Sequence, residues 1–183
     1  MDVFTVAGAL GADRCRWMRA AMDAGARRTA EVLDERHGGR RALDVDVPDE
    51  VVAFVESCLD ARREEIAAFF DTPLSGREGA GFLRYEAGGF YGPHVDRADV
   101  PSWPDAARRA ITIVVFLNSS RDANTRGEFE GGCLRLFPNG TTDAHLDIVP
   151  TEGTLVAFPS WTPHEVTSVT GGCRDAVVDW FYS

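Results

Sequence analysis

The chain has 183 residues, 44% of them hydrophobic, and a formal net charge of −10. That length and apolar content bury one good core and point to a single domain over 1–183. The acidic balance excludes non-specific affinity for nucleic acid or an anionic membrane surface, both of which rest on accumulated Lys and Arg, and no apolar run reaches bilayer-spanning length, so cytoplasmic residence is the expectation.

In chain order, Val3–Val6 followed by Gly8 and Gly11 reads as a short edge strand or a docking arm. Asp13 is the expected N-cap of a first helix with the apolar stripe Cys15, Met18 and Met22, ending near Gly25. Residues 35–47 are polar, contain glycine and read as irregular. Pro48-Asp49-Glu50 supplies the first turn of a second helix. Its expected buried face is Val51, Val55, Cys58, Ile66 and Phe69, at three- and four-residue steps or their multiples. Pro73 and Gly76 end that region.

From residue 80 the periodicity changes. Phe82–Tyr85 reads as a strand, Gly88-Gly89 as a turn, and residues 101–109 as a solvent-facing loop. Ala110–Leu117 is almost continuously apolar and therefore a central strand; residues 119–132 form a long polar loop. Leu134–Phe137, Ile148-Val149, Leu155–Phe158, Glu165–Val169 and Asp175–Phe181 complete a set of short strands separated by turn-rich segments. The pattern predicts a mainly β fold: two antiparallel layers in a double-stranded β-helix, or jelly roll, over 80–183. Residues 1–79 then act as helical support covering one sheet. A parallel α/β fold is disfavoured, because no helices alternate with the later strands.

Cys15, Cys58, Cys133 and Cys173 contain no C-x-x-C pair, and free thiols suit this chain better than a disulfide framework. Cys58 is expected in the core. Strand alternation aims Cys173 away from its neighbour Arg174. Gly131-Gly132 reads as a turn with close backbone approach rather than a phosphate cradle.

The chemistry centres on His94-x-Asp96. On an extended backbone the two side chains share one face and can take adjacent positions on a divalent metal. A third ligand must come from elsewhere. His37 and His145 lie in polar connections, whereas His164 opens an extended run after Phe158-Pro-Ser-Trp-Thr-Pro163 and is the natural candidate. Two histidines and one carboxylate occupy one face of an octahedral ion and leave three positions open. Arg174 follows ten residues later.

The arrangement resembles the iron(II)- and 2-oxoglutarate-dependent dioxygenases, most closely the prolyl 4-hydroxylase-like branch. The matching pieces are Arg84-Tyr85-x-x-Gly88-x-x-Tyr91-x-x-His94-x-Asp96, Gly131-Gly-Cys-Leu-Arg-Leu-Phe137, Gly153-Thr-Leu-Val-Ala-Phe158, and His164-Glu-Val-x-x-Val169-x-x-Gly172-x-Arg174 with Trp180-Phe181. The resemblance implies Fe(II) on His94, Asp96 and His164, with 2-oxoglutarate and O2 as cosubstrates and ascorbate as an auxiliary reductant. It implies that Arg174 grips the distal carboxylate of 2-oxoglutarate and that Tyr85 approaches the same carboxylate. The carboxylate ligand favours hydroxylation over halogenation; desaturation or ring closure stays open. Arg174 stands where collagen-type members use Lys, which weighs against a collagen hydroxylase.

Tyr91 and Trp161 are candidate substrate-lining residues. Thr112 and Thr154 are further candidates whose direction the sequence does not determine. A free amino acid, an amino-acid derivative or another small metabolite is the expected substrate, with peptidyl proline as the alternative. The expected assembly is a monomer or small homo-oligomer. The reading from another class is a non-catalytic metal-binding jelly roll that senses or binds a ligand.

Overall fold

The computed structural model describes residues 2–30, 39–99, 101–122, 127–140 and 144–183. The chain opens with strand β1 (Phe4–Val6), helix α1 (Ala12–Ala24), β2 (Arg27–Thr29), β3 (Arg40–Arg41) and β4 (Leu43–Val45). Helices α2 (Asp49–Asp60) and α3 (Arg63–Phe69) follow. Next come β5 (Gly76–Arg77), β6 (Gly81–Glu86), β7 (Phe90–His94), a 3-10 turn at Pro104–Arg108, and β8 (Arg109–Phe116). The rest is β9 (Glu130–Gly131), β10 (Leu134–Leu136), β11 (Leu146–Ile148), β12 (Leu155–Pro159), β13 (His164–Val166), β14 (Val169–Gly171) and β15 (Cys173–Tyr182).

The larger sheet runs β1-β12-β8-β15-β6-β4-β2, with β5 also on β15; the smaller runs β11-β10-β13-β7-β3. Strand β14 pairs with β9 in a separate ribbon. All ladder pairings in both sheets are antiparallel. The fold is therefore mainly β with helices from the N-terminal part.

The larger sheet is covered on both faces, which is why its middle strand reads as unbroken apolar sequence. Every residue of β8 is buried. Ile111, Ile113 and Val115 pack with Cys15, Met18 and Met22 of α1 and Val51, Val55 and Leu59 of α2. Val114 and Phe116 face the other way, with Leu134 and Leu136 of the smaller sheet and Val156 and Phe158 of β12. Each fully buried side chain of this kind contributes about 1.5–3 kcal/mol from leaving water. The same alternation along β15 sends Val177 and Phe181 to the helix side and Ala176 to the inter-sheet side.

Several expectations need correction. Gly11, not Asp13, is the N-cap of α1, and no side chain caps it; Asp13 sits inside the first turn. The second helical region is broken. Ala61 N–H donates to Ser57 at 3.1 Å and Arg62 N–H to Leu59 at 3.0 Å, which tightens the chain and resets the helical phase before α3. Leu59 therefore takes a buried position, Cys58 is only half-buried, and Phe69 is 48% exposed. Of the segment expected to be irregular, residues 35–38, including His37, lie outside the described residues, whereas β3 and β4 are strands. Residues 1–79 thus supply strands to both sheets besides helices. Residues 101–109 are not a simple solvent loop either: Ala106 and Arg109 are buried. Among the described residues, no helix is long and apolar enough to cross a membrane.

Candidate metal centre and its cleft

His94 ends β7 and His164 begins β13, and the two are direct cross-strand partners. The register slips by one residue between this pair and Tyr91–Val166, a bulge that falls at Gly92-Pro93. Proline is tolerated there because a bulge needs no ladder donor, and the bulge re-aims the residue that follows it. Asp96 lies just beyond the strand end. Its backbone N–H donates to Ser160 O at 3.0 Å, which ties the connection to the β12–β13 turn.

The three side chains converge. His94 Nε2 stands 3.5 Å from Asp96 Oδ1 and His164 Nε2 stands 3.5 Å from Asp96 Oδ2. All three candidate donor atoms lie within 4.8 Å of one another, and all three residues are buried. Cis ligands about 2.1 Å from one ion are roughly 3 Å apart, so small side-chain adjustments suffice to close this set on a metal.

The backbone selects the tautomers. His94 Nδ1–H donates to Gly92 O and His164 Nδ1–H to Thr162 O, each at 2.9 Å. Both Nε2 lone pairs are thereby left facing Asp96, the arrangement a metal-binding imidazole needs. Burial, and then the neighbouring His94, push the His164 pKa down to about 4, so this ring is neutral at pH 7. Burial alone would raise the Asp96 pKa. The two imidazoles outweigh that and hold the carboxyl well below its usual range. Among the described residues the Trp180 N–H meets no partner at hydrogen-bonding geometry.

Surrounding groups fix these donors. Thr112 Oγ1 donates to Asp96 Oδ2 at 2.7 Å and lies 3.0 Å from Ser160 Oγ, whose hydroxyl can donate in turn. Arg109, buried between the rings of Trp103 and Trp180, pairs with Glu78 and donates from Nη1 to Asp96 O at 3.1 Å. Tyr91 stacks on His94 with ring centroids 3.5 Å apart. Burial raises its phenol pKa to about 12, so it stays neutral.

The centre opens into a cleft of about 640 Å³, continuous with solvent. On the larger-sheet side of the cleft, Tyr85 and Arg174 are cross-strand partners on β6 and β15. Arg174 is 2% exposed, with its guanidinium carbon 5.0 Å from the Tyr85 ring and 5.4 Å from the Phe116 ring. Among the described residues its Nε has no hydrogen-bond partner, and burial lowers its pKa. Among the described residues no carboxylate forms an ion pair with it. A buried cation without a counter-charge is costly, and a ligand carboxylate in this cleft would offset that cost. Gly132, at φ +65°, packs over it: an added Cβ would stand 3.0 Å from Arg174 Cδ and 3.0 Å from Val169 Cγ2. The expected close approach at Gly131-Gly132 is present, but in place of a turn Gly131 ends β9 and Gly132 follows it, both at positive φ.

The structure thus brings His94, Asp96, His164, Tyr85, Arg174, Tyr91 and Thr112 together around one cleft. Trp161 does not join them. It is 54% exposed and lines a separate groove with Phe69, Phe70 and Pro138. Trp161 sits on the β12–β13 turn, where Thr162 N–H donates to Pro159 O at 2.9 Å and the buried Ser160 and Thr162 flank an indole left to solvent. Thr154 is likewise absent from the cleft wall, although its carbonyl accepts from Phe116 N–H. Cys173 faces away from Arg174, 3.7 Å from Asp175 Oδ1, and all four cysteines are free. Arg40 and Trp103 line the cleft without having been anticipated. Arg40 arrives on β3, opposite Tyr91, and sits 4.7 Å over that ring. Nothing local in its sequence marks that long-range pairing.

A family profile described as the 2OG-Fe(II) oxygenase superfamily matches residues 80–182. A PKHD-type hydroxylase of Alteromonas mediterranea is 34% identical over 105 residues, 56% of this chain and 42% of that protein. One of Parvibaculum lavamentivorans is 36% identical over 104 residues, again 56% of this chain and 42% of that protein. The chain therefore spans less than half the length of these relatives. Among solved structures, a Pseudomonas putida prolyl-4-hydroxylase superposes with a TM-score of 0.74 at 28% identity, covering 99% of this chain and 92% of the other. A Trichoplax adhaerens prolyl hydroxylase, solved with a hypoxia inducible factor peptide fragment, has a TM-score of 0.75 at 20% identity, covering 98% and 83%. That second likeness is one of fold.

Proposed function

Because the chain belongs to the 2OG-Fe(II) oxygenase superfamily, we propose that it hydroxylates an unactivated C–H bond, consuming 2-oxoglutarate and O2 and releasing succinate and CO2. Bound Fe(II) would supply the oxidising chemistry, one oxygen atom entering the substrate and the other the succinate. His94, Asp96 and His164 would hold the metal on one face, with the carbonyls of Gly92 and Thr162 taking the Nδ1 side of each imidazole so that Nε2 faces the metal. Arg174 would take the distal carboxylate of 2-oxoglutarate in a two-point charge-assisted bond, with Tyr85 beside it. Tyr91, Trp103 and Arg40 would border the substrate's approach.

The observation that carries this reading is Arg174: a buried guanidinium, with no ion pair among the described residues, opening on the same cleft as the three converged donors. The two facing antiparallel sheets support a double-stranded β-helix, in one domain whose catalytic core is 80–183 and whose N-terminal part backs it. A free amino acid, amino-acid derivative or other small metabolite is the first substrate class. Peptidyl proline is the second, favoured by the 28% identity to the Pseudomonas putida prolyl-4-hydroxylase over nearly the whole chain.

The test is anaerobic titration of the Fe(II)-loaded protein with 2-oxoglutarate, followed by admission of O2 in the presence of pooled amino acids, metabolites or proline-rich peptides. A visible charge-transfer band, succinate release and a 16 Da mass gain in one pool are the expected outcome, the gain being one oxygen atom. Tight iron binding with no spectral or calorimetric response to 2-oxoglutarate refutes the reading. Binding of both without succinate release would instead indicate a non-catalytic binding module.

A further inference from the structure

Arg174 is held by strand β15, yet the neighbouring strand β8 ends at Phe116, before it reaches Arg174. The last backbone contact across this pair runs from Leu117 N–H to Asp175 O at 3.0 Å. Beyond it the ladder is continued by a side chain. Asn118 Nδ2 donates to Cys173 O at 2.8 Å, and Asn118 Oδ1 accepts from Asp175 N–H at 3.0 Å. A carboxamide sets an N–H donor and a carbonyl acceptor side by side in one plane, as a strand residue presents its own N–H and C=O to one neighbour, so it can complete both bonds of an antiparallel partner. The two groups it engages flank Arg174 on either side. Asn118 is 1% exposed, so neither bond competes with water.

The other supports of this segment point the same way. On the opposite strand edge, Arg174 pairs with Tyr85 of β6. Beneath it, the Asp175 carboxylate accepts from Arg84 Nε at 2.7 Å and Nη2 at 2.9 Å, and from Arg19 Nε of α1 at 3.1 Å. Asn118 supplies the one side of this frame for which no strand is present.

We propose that Asn118 is a positioning residue for the cosubstrate: its side-chain amide replaces a strand beside β15 and sets the direction of the Arg174 guanidinium in the cleft. The inference rests on reading Arg174 as the partner of the 2-oxoglutarate carboxylate. Asn118 touches neither the metal donors nor the cleft, so its effect must pass through Arg174.

The test is a double-mutant cycle on the full chain. Dissociation constants for 2-oxoglutarate are measured by anaerobic calorimetry on Mn(II)-loaded wild type, Asn118→Ala, Arg174→Ala and the double variant, together with Mn(II) affinity for each. Asn118→Ala weakens 2-oxoglutarate binding about tenfold or more and leaves Mn(II) affinity within about twofold. The double variant binds 2-oxoglutarate no more weakly than Arg174→Ala alone, because the brace has nothing left to position. Asn118→Leu, which has the shape of asparagine without its polar atoms, goes through the same cycle so that a cavity is not mistaken for the effect. Wild-type 2-oxoglutarate affinity in either Asn118 variant that folds, or losses that multiply in the double variant, overturns the inference while leaving the cosubstrate reading intact. Unchanged affinity in Arg174→Ala overturns the cosubstrate reading, and the inference with it. If neither Asn118 variant folds, the residue is a general stability element and the specific positioning role is rejected.

Discussion

Thr112→Val removes one hydroxyl from beside the proposed metal site and little else. Thr112 is 2% exposed, and its Oγ1 donates to Asp96 Oδ2 at 2.7 Å. Valine fills nearly the same space, so the perturbation is chemical rather than steric. A hydrogen bond to a charged group contributes about 1.5–3 kcal/mol. The Asp96 carboxylate would keep its link to the chain through Arg109 and Ser160, but these act on its backbone, not on the carboxylate plane. Without Thr112 the plane can rotate, and metal binding must then order it again. The expected loss is about 1.5–2 kcal/mol in metal affinity, roughly 10- to 30-fold, the range usual for groups that orient a ligand. Anaerobic calorimetry with Fe(II) or Mn(II) measures it. At saturating metal, 2-oxoglutarate affinity should stay within about twofold of wild type, because Arg174 is untouched. Equal metal affinity in the two proteins would show that Thr112 only fills space, and an equal fall in both affinities would show general damage to the cleft.

Trp161→Ala should leave metal affinity, 2-oxoglutarate affinity and uncoupled succinate release unchanged, since the indole lies outside the cleft; a loss of turnover would restore Trp161 to the site. Asp175→Ala should destabilise the fold by about 3 kcal/mol, measured by urea unfolding, because it removes the buried partner of the Arg84 guanidinium and leaves it only the exposed Asp23. A change below about 1 kcal/mol would mean that this ion pair is nearly neutral to folding. In the metal-free protein, stability should fall as pH drops from about 6.5 toward 4. Over that window the unfolded chain accepts a proton at His164 that the folded chain, with its pKa pushed down to about 4, refuses. Urea midpoints at pH 7, 5.5 and 4.5 measure the slope, His164→Asn should flatten it, and an identical slope in that variant would assign the effect to other groups.

What was legible in the sequence was what local periodicity encodes. The stripe Cys15, Met18 and Met22 and the apolar run around Ile113 name the buried faces directly, because burial on a helix or strand repeats with the backbone period. His94, Asp96, His164 and Arg174 were legible because histidine is scarce in the chain and the spacing of the four carries a family pattern. Where the reading failed, the deciding contact was remote. Phe69 lost its place in the core because the chain turns between α2 and α3. Arg40 lines the cleft only because β3 pairs with β7, some fifty positions later in the chain, and a two-residue strand in a polar stretch gives no period to read. Trp161 lies on the β12–β13 turn, where no strand period fixes a side chain's direction, so its outward position was likewise not legible.

The two sheets contribute different halves of the chemistry. His94 and His164 stand on strands of the smaller sheet, whereas Tyr85, Thr112 and Arg174 stand on strands of the larger one. Asp96 belongs to neither; it lies on the connection after β7 and is held to the larger sheet by the Thr112 hydroxyl and to the β12–β13 turn by Ser160 O. The metal donors can therefore meet Arg174 at one separation only when the sheets face each other in a fixed way, and the packing of Val114, Phe116, Leu134, Leu136 and Phe158 between them sets that separation. Phe158 also meets His164 edge-on at 4.8 Å, and Phe116 lies beside Arg174, so the inter-sheet core touches both halves. Close-packed interiors transmit small displacements rather than absorbing them. On the proposed reading, the distance 2-oxoglutarate would span from metal to guanidinium is thus set by this apolar layer, of which Val114 and Leu134 also line the cleft.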